Sequence, residues 1–292
     1  MSVMELNPLQ VFLMVANEGS FSRAAEKLLR TQPAVSLALQ RLELELGEKL
    51  IDRSGKELLL TDAGRSALDF ARRFESLERE LENSLAELRD KSAGRLTVGA
   101  NESTTLYLIR HIERYRALHP RIKVTVRRSM ASKIPNELLD GNLELGVISY
   151  DPGDERIRSK VIYTDAIALV VSPQHRLARH KSISIAELAE ENFIAHNVLS
   201  PYRDVVIHEF QTRKIPLRMD VDMPTIEGIR KMVQDNQGIA FLPRMCVEQE
   251  IEQKLLREVR VKEMNIERKI RLVYPTRRAL SHAAKAFLEI VG

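Results

Sequence analysis

Polar side chains suited to reading nucleic acid bases recur on one predicted helical face near the N-terminus. Gln32, Ser36 and Gln40 follow one another at intervals of four residues, so in a helix they share a face. Gln40 can pair bidentately with adenine, and the Ser36 hydroxyl can donate or accept a hydrogen bond. Pro33 and Leu37 fall on the same face, where Leu37 can contact only a thymine methyl. The spacing predicts a helix that presents these groups to a DNA groove.

A stripe of cations precedes this helix. Arg23, Lys27 and Arg30 are four and three residues apart, which places them on one side of a second helix, where they could contact phosphates. The alternative is a charged face that only meets water. Both interpretations stay open at this stage.

The elements that would position these groups are three short helices followed by two strands. Asn7 with Pro8 predicts the start of the first helix, Ser20 or Ser22 caps a second that runs through Leu29, and Thr31 caps the third. Two short helices joined by a tight turn, about residues 21–40, form a helix-turn-helix. Residues 50–61 read as two strands around a turn at 54–56, which would be a wing. The inward face of the third helix is predicted to be Val35, Leu39, Leu42 and Leu46.

Residues 62–92 have a heptad pattern without proline. The pattern favours a helix that dimerises as a coiled coil, and the alternative is a helix packed on its own domain. The apolar positions are Ala67, Ala71, Phe74, Leu77, Leu81, Leu85 and Leu88.

From Gly94 onward, strands alternate with helices, which predicts a parallel α/β sheet long enough for two lobes. Ligands of such sheets bind beyond the carboxyl ends of strands, beside helix N-termini. Asn101, Ser103 and Thr104 follow a strand that ends near Ala100, and they could cap the next helix, hold a ligand carboxylate, or do both. Ser149 follows a second strand. The other candidates at strand-to-helix junctions are Asn197, Ser200, Arg203 and Thr225, with Ser129, Ser132 and His196 as weaker ones.

The composition excludes several classes of protein. A chain of 292 residues with 44% hydrophobic and 29% charged residues is globular and large enough for two or three folded units. It contains no apolar run long enough to span a membrane and no signal-peptide pattern, so we expect a cytoplasmic protein. A single cysteine, Cys246, excludes an internal disulfide, and it favours a packed side chain over a sensor. Neither metal-ligand spacing nor a phosphate-binding glycine loop is present, so no cofactor and no enzyme activity are predicted.

The net charge of +4 is unevenly distributed. Residues 1–65 sum to −1, residues 66–93 to −2 and residues 94–292 to +7. A DNA reader at the N-terminus must therefore place its cations locally. Glu102 would disfavour an anionic ligand nearby unless a cation such as Arg203 offsets it.

These patterns resemble the LysR-type transcriptional regulators of bacteria. The first match is LQVFLMVANEGSFSRAAEKLLRTQPAVSLALQRLELELGEKLIDR, which continues into LLLTDAG. The C-terminal part is similar to the family's effector domain in GRLTVGA, GNLELGVIS, VVSPQHRLA and GIRKMVQDNQGIAFLP. Family members often carry polar groups where this chain has Leu37 and Ala38, and Ile51 stands where phenylalanine is usual.

The resemblance implies three parts: a winged helix-turn-helix DNA-binding domain (residues 1–65), a dimerising linker helix (66–93) and a two-lobed α/β domain like the periplasmic solute-binding proteins (94–292). Lobe 1 would hold about residues 94–163 and 267–292, and lobe 2 about 164–266. A small-molecule co-inducer would bind between the lobes, where the match favours Ser103, Thr104 and Ser149. The resemblance also places Arg53 in the wing as a minor-groove contact, and it suggests a structural role for Glu43, such as orienting an arginine.

The function implied is that of an effector-responsive regulator of transcription. Its partners would be double-stranded DNA, the effector, further copies of itself as a homodimer or homotetramer, and RNA polymerase, with no membrane involved. The competing class is a cytoplasmic enzyme or solute carrier on the same two-lobed fold, for which a catalytic constellation in the cleft would be evidence. The DNA contacts predicted in all are Ser22, Arg23, Lys27, Arg30, Gln32, Pro33, Ser36, Leu37, Gln40 and Arg53.

Overall fold

The structure is a computed structural model that describes residues 7–52, 58–89, 94–198 and 200–291. The chain divides near residue 91 into two compact units. The first unit contains α1 (Pro8–Glu18), α2 (Phe21–Lys27), α3 (Gln32–Leu46), β1 (Ile51–Asp52), β2 (Leu59–Leu60) and α4 (Asp62–Arg89).

The first three helices begin where the sequence predicts. Asn7, Ser20 and Thr31 each accept a backbone N–H of the first turn, and prolines stand in the first turns of α1 and α3. Ser20, rather than Ser22, caps α2. Gly19 and Gly47 end α1 and α3 in the left-handed region, where a Cβ would be strained. The predicted helix-turn-helix is therefore present in the structure.

Two details of this prediction were wrong. Helix α2 ends at Lys27 and not at Leu29, because Leu29 adopts φ 54°, which a right-handed helix does not allow, and its side chain is 89% exposed. Leu46 is 51% exposed instead of buried, since α3 ends there and Leu50, 1% exposed, fills the core after the turn. Val35, Leu39 and Leu42 are buried as predicted.

The two wing strands are confirmed as a short antiparallel pair, Ile51 opposite Leu60 and Asp52 opposite Leu59. The turn predicted at residues 54–56 lies outside the described residues. Thr61 Oγ1 accepts the Gly64 N–H at 2.9 Å and so caps the start of α4. A Cβ on Gly64 would lie 2.0 Å from the Leu50 carbonyl oxygen, so only glycine permits α4 to start this close to the wing.

Helix α4 has two parts with different surroundings. In its first part Ala63, Ala67, Leu68 and Ala71 pack on the core of the first unit. From Phe74 onward the apolar side chains face outward: Leu77 is 63% exposed and Leu81 61%. The alternative of a helix packed on its own domain is therefore correct for the first part, and the coiled-coil interpretation stays a prediction for the second part. The side chain of Leu88 lies outside the described residues.

The second unit alternates strands with helices. Helix α6 packs so closely on the sheet that a Cβ on Gly146 would lie 2.4 Å from Ile134. The elements are β3 (Gly94–Ala100), α5 (Glu102–Leu118), β4 (Ile122–Arg128), α6 (Ile134–Leu139), β5 (Leu145–Ile148), β6 (Ile157–Val171), β7 (Ser182–Ile183), β8 (Asn192–His196), α7 (Pro201–Thr212), β9 (Arg218–Met223), α8 (Ile226–Gln234), β10 (Ala240–Pro243), α9 (Glu248–Glu252), β11 (Arg257–Val261), β12 (Glu267–Pro275) and α10 (His282–Val291).

The sheet is mixed, which corrects the expectation of a parallel one. Strand β3 pairs in parallel with β4 and β5, but β12 runs antiparallel to both β5 and β6. Farther along, β6 pairs antiparallel with β10 and β11. The pairing of Ile157 with Pro275 joins segments more than a hundred residues apart, so alternation along the chain gives no sign of its direction.

Strand β6 is the longest strand, 15 residues, and it connects the two lobes of this unit. Its first half pairs with β12 beside a core that includes Leu96, Tyr115 and Phe287. Its second half pairs with β10 and β11, where Leu169 and Val171 join a separate core with Phe193 and Phe210. The strand ends that face the space between these cores form the candidate ligand site.

Candidate DNA-reading face and effector cavity

The predicted base readers form one solvent-facing surface of α3. Gln32, Pro33, Leu37 and Gln40 are exposed, and Ser36 is half-buried. The opposite side of the same helix packs Val35, Leu39 and Leu42 into the core. A rigid helix thus presents two amides, a hydroxyl and an apolar side chain together, which is the set of groups that base-edge readout needs.

The predicted phosphate contacts lie on the exposed side of α2 and in the turn after it, because α2 ends at Lys27 and Arg30, contrary to the prediction, is not on the helix. Ser22, Arg23, Lys27 and Arg30 are all exposed. The Arg23 guanidinium donates to the Glu18 carbonyl, and the Lys27 ammonium lies 2.6 Å from the Glu18 carboxylate. Glu18 thus holds the first two cations in place but offsets part of the Lys27 charge, whereas Arg30 stands apart from this cluster.

Glu43 connects the end of α3 to the wing. Its carboxylate is buried and accepts the N–H groups of Leu50 at 2.9 Å and Ile51 at 3.3 Å, and Lys49 lies 3.3 Å away. Burial alone would raise the pKa of Glu43, but the two backbone N–H groups and Lys49 outweigh burial and lower it. Glu43 therefore has the structural role that the sequence suggested, with Lys49 as a cation beside it. Arg53, the predicted wing contact, lies outside the described residues.

The second unit contains a cavity of about 1120 Å³ at the strand ends between the two lobes. Its walls are mainly apolar, with Ile194, Val206 and Phe241 among them, and polar groups converge from both sides. Such a space suits a small organic molecule that a few polar groups orient.

One wall is the N-terminus of α5. Asn101 Oδ1 accepts the Thr104 N–H at 2.9 Å, and Thr104 Oγ1 accepts the Asn101 N–H at 3.0 Å, which is a reciprocal capping box. The Thr104 hydroxyl also donates to Asn101 or to the Val147 carbonyl on β5, each at 3.0 Å. These bonds occupy Thr104 in the structure, whereas Ser103 faces the cavity.

Arg268 on β12 forms the floor of the cavity. It is 3% exposed, and its guanidinium lies 3.3 Å from the buried Asp165 carboxylate and donates to Ser103 Oγ. The ring of Tyr202 lies beside it, 5.7 Å from guanidinium carbon to ring centroid. Arg268 is thus a buried cation beside the cavity, and it can attract an anionic group of a ligand.

The facing wall comes from α7 and α8. Arg203 donates to the His196 carbonyl at 2.7 Å and to Asp222 at 3.3 Å. Ser200 and Thr225 cap α7 and α8, and each accepts a backbone N–H from its own first turn. The Tyr202 hydroxyl crosses the space and donates to the Ser149 carbonyl. Burial raises the pKa of Tyr202, which keeps this donor protonated.

Glu102 makes a second contact across the cavity. Its Oε1 accepts the Ile226 N–H of α8 at 2.8 Å, and its Oε2 lies 3.7 Å from His196 Nε2 and 3.9 Å from Arg128 Nη2. The sequence suggested Arg203 as the cation that offsets Glu102, but Arg203 is paired with Asp222. A helix N-terminus and Arg128 take that place.

Two sets of known proteins match this architecture. Residues 6–65 match the family described as "Bacterial regulatory helix-turn-helix protein, lysR family", and residues 89–292 match "LysR substrate binding domain". The chain belongs to the LysR family. It is a LysR-type transcriptional regulator with an effector-binding domain, as the resemblance implied.

Individual relatives agree with this assignment. The "RuBisCO operon transcriptional regulator" of Allochromatium vinosum is 31% identical over 291 residues, which cover 98% of this chain and 95% of that protein. The fold is similar to that of full-length CbnR crystallised with its target DNA, with a TM-score of 0.74 at 21% identity and 99% of both chains covered. The regulatory domain of Synechocystis CcmR in complex with 2-PG matches 68% of this chain and 95% of that domain, with a TM-score of 0.61 at 19% identity.

The structure of this LysR-type regulator sorts the predicted effector residues into two groups. Thr104 and Thr225 are helix caps and do not line the cavity. Sequence reasoning missed Arg268, Tyr202 and Arg128, because nothing in the local pattern of a strand or a helix start shows which side chains meet across a cleft. The predicted residues that do line the cavity are Asn101, Ser103, Ser149, Asn197, Ser200 and Arg203, together with the weaker candidates Ser129, Ser132 and His196.

Other chemistry has little support in the described part of the chain. Cys246 is buried, and burial raises the pKa of its thiol to about 12, so it is a packed side chain rather than a nucleophile. No group of three or more His, Cys, Asp or Glu side chains among the described residues could hold a metal ion. None of the described helices is long and apolar enough to cross a membrane.

Proposed function

We propose that this LysR-type regulator reads its operator through α3 and responds to a small molecule bound in the cavity. The observation that carries the DNA part is the placement of Gln32, Ser36 and Gln40 on the exposed face of a helix whose other face is locked in the core. In a major groove these groups and Pro33 face base edges, and Leu37 contacts a thymine methyl. Phosphate contacts come from Ser22, Arg23, Lys27 and Arg30, and from Arg53 in the wing.

The protein acts as a homodimer joined through the outward part of α4. Phe74, Leu77, Leu81 and Leu85 expose large apolar side chains along one helix, and a second copy of the same helix would cover them. Two copies present two recognition helices to two half-sites, which raises operator affinity through effective concentration. Pairs of dimers would form a homotetramer. The complex acts on RNA polymerase at the promoter, in the cytoplasm, where bacterial DNA lies.

The cavity binds the effector without converting it, and no resident cofactor is needed. Support comes from the hydrogen bonds that its polar groups already make. The Ser103 hydroxyl is hydrogen-bonded to Asn101 and Arg268, and Arg203 is hydrogen-bonded to the His196 carbonyl and Asp222. These contacts hold walls together instead of activating a nucleophile. A ligand that binds one arrangement of the lobes more tightly than another shifts the regulator between states, typically by about 1–3 kcal/mol.

Mapping of bound sites on the genome, followed by affinity measurements on the recovered duplex, tests this function. We expect tight binding to recovered sites, weak binding to shuffled sequence, and a thermal shift with at least one small metabolite. At one hundred times its dissociation constant a ligand stabilises the protein by about 2.7 kcal/mol. Absence of sequence preference, or turnover of the bound metabolite, would favour the competing enzyme or solute carrier.

A further inference from the structure

The Glu102 carboxylate is satisfied on one side only. Oε1 accepts the Ile226 N–H at 2.8 Å. Oε2 is buried and accepts no hydrogen bond among the residues that the structure describes. Two side-chain nitrogens approach it, His196 Nε2 at 3.7 Å and Arg128 Nη2 at 3.9 Å, and both are beyond hydrogen-bond distance.

This carboxylate is not needed to cap its own helix. Asn101 already caps α5, and Glu102 is the first residue after it. Its side chain instead reaches the N-terminus of α8, where Thr225 caps Gly228 and leaves the Ile226 N–H to another acceptor. Unpaired N–H groups at a helix N-terminus are ordinary anion sites. Here the chain fills that site itself, so an anionic ligand group would have to displace Glu102.

We propose that Glu102 selects effectors that carry a hydrogen-bond donor, an ammonium or a hydroxyl group, for its free Oε2. The inference rests on the proposed function, since it assumes that the cavity holds the effector. Oε2 is already buried and has no hydrogen-bond partner among the described residues, so a ligand whose donor reaches it would supply the missing bond, whereas a ligand without a donor would leave a buried carboxylate oxygen unpaired. Acidic groups of the same ligand would lie toward Arg268, at the floor of the cavity.

Matched ligands on the full-length protein test this selection. The probes are two sets of ligands, and the members of each set share a carbon skeleton. One set is succinate, L-malate and L-aspartate, and the other is glutarate, 2-hydroxyglutarate and L-glutamate. Both sets belong to a wider metabolite panel that is screened by thermal shift. For every panel member that binds, calorimetry compares it with its analogue lacking the donor. We expect the donor-bearing member to bind roughly 10- to 100-fold more tightly, as for a hydrogen bond to a charged group.

Glu102→Gln is the decisive variant, because its amide oxygen can still accept from Ile226 while an NH₂ group replaces Oε2. It should abolish the preference, and Glu102→Ala should do the same. Glu227→Gln is the matched control: it removes the same charge one residue beyond Ile226, from a side chain that is 74% exposed and does not line the cavity. The control should retain the preference.

The outcomes separate the two proposals. Equal binding of ligands with and without a donor, or an unchanged preference in Glu102→Gln, overturns the role of Glu102 and leaves the effector cavity standing. Failure of every panel member to bind the wild-type protein overturns the cavity's proposed function and this inference with it. Loss of the preference in Glu227→Gln as well would show that net charge, rather than the free oxygen, sets selectivity.

Discussion

Replacing Glu43 by alanine should destabilise the contact between α3 and the wing strand β1. The carboxylate is 3% exposed and holds two backbone N–H groups, those of Leu50 and Ile51. A buried donor left without a partner costs about 1–3 kcal/mol. The Ile51 bond, at 3.3 Å, is the weaker of the two, and Lys49 is too exposed for its ion pair to add much. The expected loss is therefore about 2–4 kcal/mol.

Hydrogen exchange of the full-length protein measures this loss locally. Peptides from α3 and β1 should exchange about 30- to 900-fold faster in Glu43→Ala, which is the same free energy converted at 1.36 kcal/mol per factor of ten. Both N–H groups donate to the same oxygen, Oε1, so Glu43→Gln can keep both as hydrogen bonds to a neutral acceptor and should lose less than Glu43→Ala. Glu45→Ala, on the exposed side of α3, is the control and should exchange like wild type. Unchanged protection in Glu43→Ala would refute the role assigned to these two bonds.

The same carboxylate predicts a pH dependence. Because the pKa of Glu43 is lowered in the folded protein, its charge stabilises the fold fully above the unfolded value, about 4.3. This stabilisation is lost as the pH falls through the folded pKa. The difference in free energy of unfolding between wild type and Glu43→Gln should be constant above about pH 5 and should narrow below about pH 4. A difference that grew on acidification would contradict this sign.

Three further predictions concern DNA, assembly and the effector. Gln40→Ala should relax sequence preference at one operator position by about 1–3 kcal/mol. Arg30→Ala should weaken binding to all duplexes alike and lower the slope of log affinity against log salt concentration by about one unit per protomer. Equal, small effects of both variants would contradict these roles. Leu77→Asp with Leu81→Asp should dissociate the dimer by light scattering, because charges would be buried in the proposed seam, and assembly as tight as wild type would mean that α4 pairs elsewhere. Ser103→Ala with Ser149→Ala should weaken effector binding while apo affinity for DNA stays nearly unchanged, and unchanged ligand binding by calorimetry would restrict these hydroxyls to structural roles.

Local chemistry made much of the first unit predictable. Asn7, Thr31 and Gly47 mark helix ends through their own side chains or backbone, and the buried positions of α3 repeat along its own sequence. Leu29 was missed because it adopts the left-handed backbone that often follows a helix end, a position that glycine usually occupies.

The candidate cavity was predictable only in part. Polar residues that follow strand ends could be predicted to lie at the cleft, because ligands of α/β sheets bind beyond the carboxyl ends of the strands. Arg268 belongs to a strand that returns from the far end of the chain, and its contacts with Asp165 and Ser103 depend on the antiparallel pairing of β6 with β12. Glu102 was recognisable as a carboxylate beside the cleft, but its partner, the Ile226 N–H, is a backbone group that no sequence pattern identifies.

The most direct test of the central claim is the ratio of the protein's affinities for its mapped operator and for a shuffled duplex, measured at several salt concentrations. We expect the operator to bind about 1000-fold more tightly or better. Both affinities should fall steeply with salt, as phosphate contacts require. The ratio should drop in Gln40→Ala. Equal affinities for the two duplexes at every salt concentration would contradict sequence reading by α3.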